Sequence, residues 1–278
     1  MHFHWVIRTY DRTKPFLNRD ACVELWSLLH EKFPDARAAV IMPDHAHWIQ
    51  KIVAEPESGS EAILKAHKFN LIRAMKRLER RWRFQLEPIR DPAPIPDRKH
   101  LLRQIRYIHL NPCRSRLAGD PLEWEWSTHW DILGLVQKPW INTQTLFREL
   151  RIAEDLPSFH RYVSSDPSVS VEGSPFPEKG IKERDAGLDD LTSAVAAYLR
   201  CTVQDFYRTR GRRRELIHIA TKFGMASRKE LGERLQIAPQ NVGKHLRFPI
   251  QIENPAGALR LLQDFRTLKA IRKIGVDG

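Results

Sequence analysis

Cysteine is scarce in this chain. Cys22, Cys113 and Cys201 are spread over 278 positions, and no CxxC pair occurs. That argues against a disulfide framework or a cysteine zinc site, and for a reducing cytoplasm. Long apolar runs are missing: none approaches the ~20 residues of a membrane span. The opening MHFHWVIRTY lacks the basic-then-apolar layout of a secretory signal, so a cytoplasmic location without membrane contact is expected. No internal repeat is visible. Acidic residues are outnumbered, 34 against 46 Lys and Arg, leaving a net charge of +12.

The surplus is uneven. Residues 64–116 carry fifteen basic against four acidic side chains, net +11, and residues 200–247 carry twelve against four, net +8. The remainder is net −7. Two basic blocks in an acidic frame predict two contacts with a polyanion, the plainer alternative being a solubilising surface. A membrane-surface role is disfavoured, because the basic stretches lack a broad apolar face. A hydrophobic content of 42% predicts a packed globule, as one large domain or two modest ones.

Phe3–Thr9 reads as a strand. Asn18 or Asp20 caps a helix to about Phe33, ended by Pro34. Ala38–Met42 and Ala46–Val53 read as strands around Pro43-Asp44. Ser58, Ser60 and Glu61 mark the start of a long basic helix to about Arg81. The proline-rich Glu87–Pro96 is a loop or extended segment. Asp97 caps a helix through Leu110, which Asn111-Pro112 ends. Trp124, Trp126 and Trp130 read as packing residues. One short helix is expected around Thr143–Tyr162, then a Ser/Pro/Gly-rich linker over 164–187, then a helix-patterned region over 188–247.

Two stretches carry chemistry. In PDHAHWI (43–49), strand alternation puts His45 and His47 on one face, where two imidazoles can bind one divalent cation. His2-Phe3-His4 has the same spacing but is set aside, as a fraying terminus without a partner from a second element. In RYIHLNP (106–112), Tyr107 and Asn111 stand four apart on one helix face, and His109 points elsewhere. A free tyrosine hydroxyl is a poor nucleophile, and a nearby metal helps it by polarising a phosphoryl group. The Asn111 oxygen is a hard acceptor that can complete a site for Mg²⁺ or Mn²⁺. Taken alone, Tyr107 reads first as a core tyrosine, as most helical tyrosines are, and Asn111 reads also as a helix C-cap before Pro112.

The set VIMPDHAHWI, RQIRYIHLNPCRSRL and EWEWSTH closely resembles the single-tyrosine HUH transposases, in their REP-associated branch. The opening HFHWVIRTYDRTKPF resembles that family's first strand, and the likeness spans residues 1 to about 130. Cys113 and Ser115 depart from the commoner residues after the Asn-Pro pair, and FQLEPIRDPAPIP lacks the usual Trp/Gly-rich stretch. The resemblance implies an α+β fold, an antiparallel sheet with packed helices of ferredoxin-like HUH type. It implies Tyr107 as nucleophile and His45, His47 and Asn111 as metal ligands. It also implies cleavage and strand transfer of hairpin-forming single-stranded DNA through a 5′-phosphotyrosine link. The basic helix of 64–83 suits the DNA backbone, through Lys65, Lys68, Arg73, Lys76 and Arg77, with Arg103 on the next helix. Trp82 and Phe84 are core residues by default, with base stacking as the alternative.

Residues 228–247 have the spacing of a helix-turn-helix. Leu231 and Leu235 are on one face, Gly232 lies at the close approach and Gln236 in the turn. Gln240, Asn241, Lys244 and His245 are exposed on the second helix. The run Arg208–Arg214, with Arg212 and Arg213, adds phosphate contacts. A small helical bundle without DNA contact is the plainer alternative.

The expectation is a nuclease and transposase domain over 1–135, a connecting helix and linker over 136–187, and a small all-α helix-turn-helix domain over 188–278. The protein is expected as a monomer or homodimer acting on single-stranded DNA with hairpins. A catalytically silent hairpin-binding regulator, derived from a transposase, is the competing reading. A metal-only hydrolase is disfavoured, since no carboxylate base accompanies the histidines.

Overall fold

The computed structural model describes residues 1–53, 59–171, 173–176, 186–250, 252 and 255–275. The chain forms two compact units, residues 1–133 with 139–173, and residues 134–138 with 174–278. The Ser58 start of the basic helix, and part of the expected linker, lie outside the described residues.

The first unit is α+β. Its strands are β1 (His2–Arg8), β2 (Ala36–Ile41), β3 (His45–Lys51) and β4 (Ala93–Ile95). They lie in the order β2-β3-β1-β4, each neighbouring pair antiparallel. With α1 (Arg19–Lys32) after β1 and α2 (Ser60–Trp82) after β3, this is a β-α-β-β-α-β chain with split crossovers. Alternation fixes the faces. Phe3, Trp5 and Ile7 of β1 are buried against one side, with His2, His4, Val6 and Arg8 on the other. Trp5 and Trp48 stack across the register at 5.8 Å, and Phe33, just past α1, closes on both rings at 5.5 and 5.0 Å. His67 of α2 stacks on Phe33 from the same side. The opposite face carries the histidines.

Capping sets the helix limits. The Asn18 side chain accepts from the Ala21 backbone N–H at 3.2 Å, and Asp97 accepts from that of His100 at 2.8 Å. The extended segment after α2 adds β4 as an edge strand, where prolines need not donate to a ladder. Helix α3 (Arg98–His109) buries Leu101, Ile105 and Ile108. Asn111-Pro112 does not end the helical path: a further turn, α4 (Asn111–Arg114), follows, because proline is tolerated in a first turn. After α5 (Thr128–Ile132), the single helix expected over 143–162 is two, α6 (Thr143–Leu150) and α7 (Leu156–Ser164). Arg151, left-handed at φ 51°, closes the first, and Pro157 sits in the first turn of the second. Trp126 and Trp130 are buried, as packing residues should be.

The second unit is all helical among the described residues. It contains α8 (Leu188–Tyr198), α9 (Asp205–Arg208), α10 (Arg210–Lys222), α11 (Arg228–Leu235), α12 (Pro239–Leu246), α13 (Ala256–Arg260) and α14 (Phe265–Arg272). Residues 134–138 belong to it: the Gln137 N–H donates to the Tyr198 carbonyl at 2.9 Å. Among the described residues no helix is long and apolar enough to cross a membrane.

Candidate active site and nucleic-acid interface

His45 and His47 share one face of β3, with ring centroids 4.9 Å apart and planes at 89°. They are 9% and 6% exposed. Register sets Arg8 opposite His45 and Val6 opposite His47, so a guanidinium joins the two imidazoles on this face. Burial lowers the pKa of both rings, and Arg8 adds to it. Asp44 opposes the shift at His45 without cancelling it.

Each ring is held at Nδ1 by a different partner. His45 Nδ1 lies 2.5 Å from Asp44 Oδ1, and Arg12 Nη1 donates to the other Asp44 oxygen at 3.2 Å. Burial raises the Asp44 pKa, but the hydrogen bonds from His45 and Arg12 outweigh it and keep the carboxyl below its ordinary value. His47 Nδ1 lies 3.0 Å from His4 Nε2, and their rings stack at 5.1 Å. His4 Nδ1 in turn lies 3.3 Å from the amide nitrogen of Gln104, on α3. Burial pushes the His4 pKa down to about 4.

Two expectations are corrected here. His4 is not on a fraying end: β1 is an inner strand, paired on both sides, and His4 stands opposite Ile49 and Ala93. Its strand parity with Arg8 is legible in the sequence, but the pairing of β1 with β3 is not. A carboxylate does accompany the histidines, but Asp44 is engaged in orienting His45. His2 goes elsewhere, to Glu149 at 3.1 Å.

Helix α3 turns Leu101, Ile105 and Ile108 inward, which leaves Gln104 and Tyr107 on the side facing the histidine strand. The Tyr107 ring meets His47 edge-on at 6.1 Å and is 37% exposed. The Arg114 guanidinium lies over that ring at 5.1 Å and is itself paired with Asp166 at 2.7 Å. Sequence reasoning did not single out Arg114, although it stands two turns past Tyr107 in the same motif. His109 points away and is buried, 3.0 Å from the Thr128 hydroxyl.

Asn111 is buried one turn beyond Tyr107, and its Nδ2 has no hydrogen-bond partner. A buried orphan amide is costly, and turning it over would present an oxygen instead. Two imidazoles anchored at Nδ1 fit a divalent cation, and an amide oxygen is a ligand type that could complete such a site. Among the described residues no cluster of three or more His, Cys, Asp or Glu side chains is placed to hold a metal, so the amide is needed for a third protein ligand. A cleft of about 310 Å³ opens beside the pair, lined by His4, Val6, Arg8 and His47 on the sheet and by Pro88 and Arg90 across from it.

Along α2, Lys65, Arg73, Lys76 and Arg77 are exposed, as is Arg103 on α3. Lys65 pairs with Glu61 at 3.0 Å and half-buried Lys68 with Asp91 at 2.7 Å. Phe84 is core and packs on Phe16, while half-buried Trp82 donates to Glu24 at 2.9 Å. In the second unit, a cleft of about 320 Å³ is lined by Arg208, Arg210, Arg213, Asn241 and Lys244. Arg213 also donates to the backbone carbonyls of Phe206 and Tyr207, and Arg212 pairs with Glu215 at 3.0 Å. Gln240 and Lys244 are exposed, and Asn241 half-buried. His245 is buried rather than presented, because α12 turns it inward with Val242.

No family model, no curated protein and no solved structure matches this chain.

Proposed function

We propose that the first unit cleaves and rejoins single-stranded DNA at hairpin-forming palindromes, with Tyr107 as the nucleophile, in the manner of single-tyrosine HUH transposases. The observation that carries this reading is the approach of the Tyr107 ring to 6.1 Å from His47, itself 4.9 Å from His45, under the Arg114 guanidinium. Two motifs some sixty residues apart in sequence meet at one solvent-reachable point, and the split β-α-β-β-α-β topology suits the ferredoxin-like core of that family.

His45, His47 and Asn111 would hold Mg²⁺ or Mn²⁺, which when bound polarises a non-bridging oxygen of the scissile phosphate. Tyr107 Oη attacks phosphorus. The Tyr107 oxygen–phosphorus bond forms, the bond from phosphorus to the 3′ oxygen breaks, and the phenol proton ends on that oxygen. One strand end is then a 5′-phosphotyrosine and the other a free 3′-OH. Arg114, over the Tyr107 ring, and Arg8, opposite His45, would offset charge that develops on phosphate. Attack by another strand's 3′-OH reverses the step, so transfer needs no external energy source.

The exposed bases of α2 and α3 would track the strand, and α11–α12, read as a helix-turn-helix, would add a second contact through the Arg208–Lys244 cleft. The test is incubation of the full chain with hairpin-bearing single-stranded oligonucleotides, with and without Mg²⁺ or Mn²⁺, then mass spectrometry. A peptide–DNA bond at residue 107 is expected, lost in Tyr107→Phe while hairpin binding persists. Equal adduct yield from the variant would refute the assignment.

A further inference from the structure

We propose that His4, backed by Gln104, is the positioning residue of His47: the chain Gln104–His4–His47 decides which His47 nitrogen carries the proton and which is open to a ligand. The proposal rests on the reading of His47 as a metal ligand, but its core is a property of the metal-free protein.

The geometry is specific. Gln104 Nε2 to His4 Nδ1 is 3.3 Å and His4 Nε2 to His47 Nδ1 is 3.0 Å, so three side chains form one hydrogen-bonded file from the tyrosine helix to the ligand strand. His4 is an inner-strand residue diagonal to His47, and it stacks on that ring at 5.1 Å, so the contact is fixed by sheet register as well as by polarity. His45 has the equivalent anchor in Asp44. The two histidines thus have unlike partners at the same ring position, a carboxylate for one and a neutral imidazole for the other.

That difference has a chemical consequence. A carboxylate only accepts, so it holds the His45 proton at Nδ1 and leaves Nε2 with a lone pair. An imidazole both donates and accepts, so His47 has two states with the same heavy-atom positions. In the first, the Gln104 amide N–H donates to His4 Nδ1, His4 Nε2–H donates to His47 Nδ1, and His47 keeps its proton on Nε2. In the second, the Gln104 amide is turned over, its oxygen accepts from His4 Nδ1–H, and His47 Nδ1–H donates to His4 Nε2. Only the second leaves the His47 Nε2 lone pair open. No proton enters or leaves the file: each ring exchanges one N–H for the other.

The test uses full-length protein with ¹⁵N-labelled histidine. Long-range ¹H–¹⁵N spectra read the tautomers of His4 and His47 without metal and with diamagnetic Mg²⁺, and Mn²⁺ affinity is measured in parallel. Wild type should show His4 and His47 changing tautomer together on Mg²⁺ addition. His4→Phe keeps a ring but no nitrogen, and should weaken Mn²⁺ binding by about 10- to 100-fold and alter the His47 tautomer in metal-free protein. His4→Gln supplies an acceptor and should recover most of that affinity. Gln104→Leu covers the case in which His4→Phe does not fold, and should alter the His4 tautomer. Unchanged Mn²⁺ affinity and His47 spectra in folded His4→Phe, or an unchanged His4 tautomer in Gln104→Leu, would overturn the proposal. If wild type binds no divalent cation, the metal reading fails by itself. The metal-free spectra then decide the positioning role alone: a tautomer shift in His4→Phe upholds it, and none overturns it.

Discussion

At the residue scale, the site depends on second partners more than on the histidines' spacing. Asp44 is the clearest. It fixes the His45 ring and is itself held by Arg12, so Asp44→Asn leaves the imidazole without a carboxylate acceptor. We expect Mn²⁺ affinity to fall about 10- to 100-fold in that variant, while Tyr107→Phe keeps it, as read by titration calorimetry. A second residue-scale prediction concerns His109. It is fully buried, and burial pushes its pKa down to about 3 from an ordinary 6.5. Between those values the unfolded chain binds a proton that the native chain does not, so stability falls as pH drops below 6.5. The slope for this one group approaches ~1.4 kcal/mol per pH unit. Urea midpoints at pH 7, 6 and 5 should show it, and His109→Gln should flatten it. An identical slope in the variant would assign the acid sensitivity to other groups.

At the element scale, the α11–α12 pair shows how a short motif is held. Ser227 and Glu230 form a reciprocal cap at the start of α11. A Cβ on Gly232 would lie 2.8 Å from the Ile237 carbonyl oxygen, a backbone atom that cannot step aside alone. Gly232→Ala should therefore cost about 1–3 kcal/mol in thermal or urea unfolding. Gln236 ends α11 in the left-handed region at φ 54°, where a side chain costs energy that glycine avoids. Gln236→Gly should raise stability by roughly 0.5 kcal/mol, and any marked loss would mean that the Gln236 side chain has a role the backbone does not explain. The sequence showed this turn's irregular position, since glycine is common there. It did not show that His245 faces inward, because one apolar anchor, Val242, leaves the orientation of an eight-residue helix loosely set.

At the scale of the whole molecule, charge and unit boundaries dominate. Phosphate contacts make binding salt-dependent, by about 0.9 in log–log slope per duplex contact. Replacing Arg210 and Lys244, which line one cleft, with alanine should lower the duplex-binding slope by about 1–2 without touching adduct formation on single strands. An unchanged slope would remove the second DNA contact from the proposal. Point changes are better probes than deletion of 188–278, because Leu135 and Val136 are buried in the second unit and would be stripped of cover. Acid should also weaken the first unit through Glu149. Lys51 and Arg37 outweigh burial and hold its pKa at about 2, so the stability it brings is present above its ordinary 4.5 and is lost as pH falls towards 2.

The sequence by itself determined the inner strands to within two residues, the cap at Asp97, and the shared face of His45 and His47, while it left the first helix's cap between Asn18 and Asp20. These follow from alternation, capping chemistry and helix spacing, which act over a few residues. It also marked Tyr107 and Asn111 as a pair, through one turn of helix. Tertiary structure alone decided that β1 pairs with β3, which brings His4 to His47 and Arg8 beside His45. It alone set α3 against the histidine face, with Arg114 over Tyr107. The contacts of His4 with His47 and with Gln104 join residues 43 and 100 positions apart, and no local periodicity encodes which strands become neighbours.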